Sequence, residues 1–171
     1  MAKKTRNKAY KPKGVMPNCM DWAIAGAHTL LLGQQEAFIK PVDDALDLLR
    51  QGVATRDDWN MVASAMNIAV ALAHLQICPN FVPDFERAQE ALREIARRMI
   101  QRGTSTCYAT ELILLREARD LYRIQLRYCT QAESSRAIKR VKDTHRSGGM
   151  QDMAKLFHRM PASAEIQLQQ A

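Results

Sequence analysis

The chain has 171 residues, 47% of them apolar and 25% charged, and a formal net charge of +7. That length lets a single domain bury about 70% of its unfolded surface, and the apolar fraction excludes a chain too polar to build a core. Aromatics at 6% are too few for a surface built on base stacking, so Met and Ala fill out a helix-compatible core.

The charge is unevenly placed. Residues 1–14 carry +6 with no acid, and residues 136–146 hold Arg136, Lys139, Arg140, Lys142 and Arg146 against Asp143, a net +4. Everything else nets −3. Two basic pieces on a mildly acidic body suit a polyanionic partner, because clustered cations release condensed counterions.

Residues 1–17 read as a disordered basic leader, with Lys3, Lys4, Arg6, Lys8, Lys11 and Lys13 as point charges for phosphate and Tyr10 as one stacking face. PNCMDWAIAGAHTLLL then predicts a first helix, capped by Asn18 or Asp21. A basic start before an apolar run has the outline of a signal peptide. Pro17, Asp21 and His28 interrupt it, however, and the run from Trp22 to Gly33 is only twelve residues, against ~20 for a membrane span. The expectation is a short buried helix.

QQEAFIKPVDDALDLLRQG continues that helix or restarts at Pro41, with Val42, Ala45, Leu46 and Leu49 on one side and Gly52 as its stop. ATRDDW is the sharpest start signal: Thr55 caps the amide three residues on, and Asp57 and Asp58 face the positive dipole end. The helix it opens places Trp59, Val62, Met66, Ala69 or Val70, Ala73 and Ile77 on one side. Ile68, Leu72 and Leu75 widen that stripe, so this helix is expected at the centre of the core, with CPNFVP ending it.

DFERAQEALREIARRMIQRG predicts an amphipathic helix with Phe85, Ala88, Leu92, Ile95 and Met99 inward, Glu94 and Arg98 paired at four residues, and Gly103 as terminator. A last long helix runs from Tyr108, or from Thr110 as cap, to Arg146, its stripe being Leu112, Leu115, Ala118, Tyr122, Leu126 and Cys129. At 1.5 Å per residue it would reach about 45 Å or more. Its basic end is therefore expected to project or bend away. SGG at 147–149 breaks the chain, and 147–171 reads as a weakly ordered tail with room for a short helix at MQDMAKLFHRM.

Other constellations are weaker. His74 and Cys78, four apart on a helix, have the spacing of two metal ligands, but nothing nearby supplies the other two. Capping and solvation account for Asp43, Asp44, Asp47, Asp57 and Asp58. Cys19, Cys78, Cys107 and Cys129 form no CxxC and read as reduced thiols. The glycine at 103 lacks an alanine close enough to make a helix-turn-helix, so no base readout is expected. With no GxSxG, glycine-rich phosphate loop or HExxH, the chain reads as a non-enzyme without metal or cofactor.

The segments KKTRNKAYKPK, ATRDDWNMV and NIAVALA, and the T-E-L…EARDLYRIQL helix, resemble a loose group of short all-helical proteins encoded by tailed phages and prophages of proteobacteria. The resemblance spans about residues 1–145. It implies a mobile-element origin, action in a bacterial cytoplasm and an all-helical body, and carries over no activity.

The expected fold is all-α: a single-domain bundle of four or five helices over 18–146, with the basic leader before it and a long projecting C-terminal helix. The expected function is non-enzymatic contact with nucleic acid through phosphates, by Lys3, Lys4, Arg6, Lys8, Lys11 and Lys13 together with Arg136, Lys139, Arg140 and Lys142. The alternative is a protein–protein module: an inhibitor or adaptor of an acidic host protein, or a homodimer along the long helix. Neither reading involves a membrane.

Overall fold

The structure, a computed structural model, describes residues 19–147. The expected leader at 1–17 and the tail from residue 148 onward lie outside the described residues. Those described form six α-helices and no strand: α1 (Cys19–Ala27), α2 (Leu32–Gln51), α3 (Arg56–His74), α4 (Val82–Arg102), α5 (Ala109–Tyr128) and α6 (Gln131–Arg146). A 3-10 turn, Pro79–Phe81, leads into α4.

α3 is central because it is apolar on more than one side. It packs against α2, α4, α5 and α6, and Trp59, Val62, Met66, Ala69 and Leu72 are fully buried. Its start follows the capping logic: Asp58 N–H donates to Thr55 Oγ1 (3.4 Å) while Thr55 N–H donates to Asp58 Oδ2 (2.7 Å). Trp59 meets the polar requirement of a buried indole by donating Nε1–H to the Leu92 carbonyl at 2.8 Å. On α4, Phe85, Ala88, Leu92 and Ile95 are buried as the spacing predicts, each large side chain contributing about 1.5–3 kcal/mol before entropy. Gly52 (φ 74°) and Gly103 (φ 64°) end α2 and α4 in the left-handed conformation.

Four expectations are corrected. The long helix over 108–146 is two helices, which raises the count to six. Cys129 takes an extended conformation (ψ 134°) and is buried, and Thr130 restarts the chain with Glu133. Thr130 N–H donates to Glu133 Oε2 (2.8 Å) and Glu133 N–H to Thr130 Oγ1 (3.3 Å). α6 then packs on α3 through Ser134 and Ala137.

The first helix stops at Ala27, and the second starts at Leu32 rather than Pro41. Between them Leu30 N–H donates to the Cys129 carbonyl (3.1 Å), Gln131 N–H donates to that of His28 (3.0 Å), and Thr29 pairs with Thr130 as an isolated bridge. Gln34 Oε1 accepts from Leu31 N–H at 3.0 Å and fixes the restart, leaving Pro41 in the interior of α2.

α3 ends at His74, ahead of the prolines. Gln76 N–H donates to Ala73 O (2.9 Å) and Ile77 N–H to Leu72 O (3.1 Å), a Schellman closure with Gln76 at φ 69° where glycine is usual. Lastly, α1 is not buried: Met20, Ala23, Ile24, Ala25 and Ala27 are all exposed, because α6 is the helix it packs against.

Candidate nucleic-acid interface

Lys3, Lys4, Arg6, Lys8, Lys11 and Lys13 lie outside the described residues. The other four expected contacts are on α6, whose inward side is set by Ser134, Ala137 and the half-buried Val141. Residues opposite those positions face water beyond Ala132, against which α1 is seated. Arg136, Lys139, Arg140 and Lys142 are all exposed, and none of the four makes an ion pair among the described residues. Asp143 lies among them but is 3.8 Å from Arg146, and Glu133 is engaged in the cap. The four cations are therefore not neutralised from within their own helix.

α1 is seated on the same helix. Gly26 allows the approach: a Cβ built there would stand 3.1 Å from the Ala132 Cβ. Arg136 and Lys139 follow Ala132 by four and seven residues, so the contact and these cations share one side of α6. The C-terminal end of α1 meets the N-terminal end of α6, and the chain segment bearing residues 3–13 is joined to α1 at Cys19.

Of the acids of α2, Asp44 and Asp47 are exposed, as expected, and Asp43 is half-buried. Asp44 pairs with Lys40 (2.7 Å) and Asp47 with Arg50 (3.4 Å). Asp43 reaches across to α5, 3.1 Å from Arg119 Nε and 3.4 Å from Arg123. The Arg119–Asp43 contact has the distance of an ion pair without the alignment of a hydrogen bond, leaving both atoms unsatisfied. Arg116, Arg119, Arg123 and Arg127 fall three and four residues apart, a one-sided basic ladder on α5 that apolar spacing does not pick out. Asp43, Leu46, Asp47, Arg116 and Arg119 line a cleft of about 350 Å³ with two charges of each sign. Such a balance gives no net attraction for phosphate.

Elsewhere the pairing differs from the expected spacing. Glu94 pairs with Arg97 (2.7 Å), while Arg98 turns inward to Glu111 and stacks 4.2 Å over the Tyr108 ring, closing the α4–α5 connection. His74 and Cys78 do not share a helix, since α3 ends at the first and the second is left-handed beyond it. Cys78 and Cys107 are half-buried and Cys129 is buried, all as free thiols. Burial pushes the Cys107 and Cys129 thiols up to about 11, so neither is a ready nucleophile. No described helix is long and apolar enough to cross a membrane. No protein-family model, curated protein or solved structure matches the chain.

Proposed function

We propose that the protein is a non-enzymatic accessory factor, of the kind a phage or other mobile element encodes, that holds nucleic acid by its phosphates without reading sequence. The observation that carries this reading is the exposed, unneutralised row Arg136, Lys139, Arg140 and Lys142 on the helix that seats α1. The +6 of residues 1–14 enters the chain just ahead of α1. Phosphate contacts of this type position a protein on a backbone and leave base edges unread.

A gel-shift and fluorescence titration of the full chain against duplexes of unrelated sequence, at several salt concentrations, tests it. Equal affinity for all duplexes and a steep linear fall of log K with log salt are expected. No binding at low salt, or binding unchanged in a chain lacking residues 1–14 and carrying Ala at 136, 139, 140 and 142, rejects it. Capture of one stoichiometric protein that survives nuclease would favour the protein–protein alternative instead.

A further inference from the structure

Phosphate binding leaves the outward side of α5 without a role. α5 packs on α2, α3 and α4 and turns Leu115, Ala118, Tyr122, Gln125 and Leu126 inward. At about 100° per residue, the opposite side carries Ile113, Glu117, Asp120, Ile124 and Arg127, with Tyr128 at its edge. All six are exposed, Ile113 by 55%, Ile124 by 37% and Tyr128 by 69%. Because they follow one another on a single helix at steps of three and four, they form one row, about 22 Å from end to end.

Charge on the row is ordered along its length. The acids, Glu117 and Asp120, lie towards its N-terminal end and Arg127 towards its C-terminal end. Asp120 is 3.2 Å from Arg119 of its own helix, whereas Glu117 and Arg127 make no ion pair among the described residues. Arg116 belongs to the edge facing α2, where it lines the cleft with Asp43 and Asp47. A row that is acidic near one end, basic near the other and apolar at intervals is its own complement when turned end for end, and self-complementarity is what a two-fold interface needs. α6 offers no such row, since its outward cations would meet their like.

We propose that α5 is the seam of a symmetric antiparallel dimer, in which Glu117 of each copy faces Arg127 of the other. The two-fold axis then passes at the level of Tyr122, midway between them. Ile124 of each copy falls within a turn of that axis, and Ile113 of one copy comes up beside Tyr128 of the other. A parallel pairing would instead set Glu117 on Glu117 and Arg127 on Arg127. One helix from each copy makes a small interface, so the association is reversible rather than permanent. The homodimer expected along one continuous helix to Arg146 is thereby confined to α5, which ends at Tyr128. The inference does not rest on phosphate binding, which uses none of these side chains.

Sedimentation equilibrium of the nuclease-treated full chain, in physiological salt and from low to high micromolar concentration, tests it. The average mass is expected to climb from that of one chain towards that of two. Glu117→Arg and Arg127→Glu should each weaken association by about tenfold or more, because each sets like charges together twice, and the double variant should recover it to within about threefold. Ile124→Ser should also weaken it. All three positions are exposed, so the circular dichroism spectrum of each variant should match that of the parent. The mass of one chain at every concentration overturns the proposal. So does a dimer that neither charge reversal weakens, or one that the double variant fails to recover, for then the seam lies elsewhere or runs parallel.

Discussion

Gln125 is fully buried on α5, and its Nε2 donates to the carbonyls of Ala69 (3.2 Å) and Ile77 (2.9 Å). One amide thereby ties α5 to the end of α3, where Gln76 and Cys78 hold left-handed backbone that glycine would adopt at less cost. Gln125→Met keeps the length and removes the donors. It should lower stability by about 1–3 kcal/mol in urea unfolding, because the Ile77 carbonyl is left without that partner. Cys129 gives a pH prediction. Burial raises its thiol from 9.0 to about 11, so the folded state holds the proton more tightly than the unfolded chain. Its contribution is complete below pH 9 and is lost as pH rises towards about 11. Unfolding midpoints followed across that window should fall, and Cys129→Ala should flatten the decline. Sequence spacing placed Cys129 on the inward stripe of α5; Gln125 could not be read the same way, since a glutamine is ordinarily solvated and what pins it is a carbonyl 48 residues away in the chain.

At the scale of the element, α6 exists as a separate helix because Thr130 and Glu133 satisfy each other's amides. The T-x-x-E pattern at 130–133 was available in the sequence. It was overridden by an apolar periodicity that carries through Cys129, since a stripe reports which side is inward and not whether the backbone is continuous. Thr130→Ala should cost about 1 kcal/mol, and hydrogen exchange should speed in the first turn of α6 before it does in α3. The interior proline of α2 makes the opposite case. Pro41 offers no N–H to the Ala37 carbonyl, and the helix nevertheless runs through it. Pro41→Ala should therefore stabilise the protein, by up to about 3 kcal/mol if the ring strains the turn before it, read as a higher unfolding temperature.

Across the described residues, charge is divided among pairs within one helix, pairs that link helices and cations left to solvent. Asp43 draws Arg119 and Arg123 from α5 onto α2, and Arg98 with Glu111 closes α4 onto α5. Arg136, Lys139, Arg140 and Lys142 on α6 make no ion pair among the described residues. If they meet phosphate, replacing Arg136, Lys139, Arg140 and Lys142 by Ala should reduce the slope of log K against log salt by about 3–4, close to 0.9 for each phosphate no longer neutralised. Replacing Arg116 and Arg127 alone should change it less, because Arg116 adjoins the balanced cleft beside Asp43 and Asp47.

The sequence by itself determined the helical class, the start of α3, the glycine stops at 52 and 103, and the central place of α3. These follow from interactions within a few residues: caps, left-handed glycines, and an apolar period of three and four. Only the tertiary structure decided that α1 lies exposed on α6, and that Asp43 and Arg98 find partners on other helices. Each of those is an interaction between segments far apart in the chain, and side-chain spacing along one helix does not encode what the next helix brings to it.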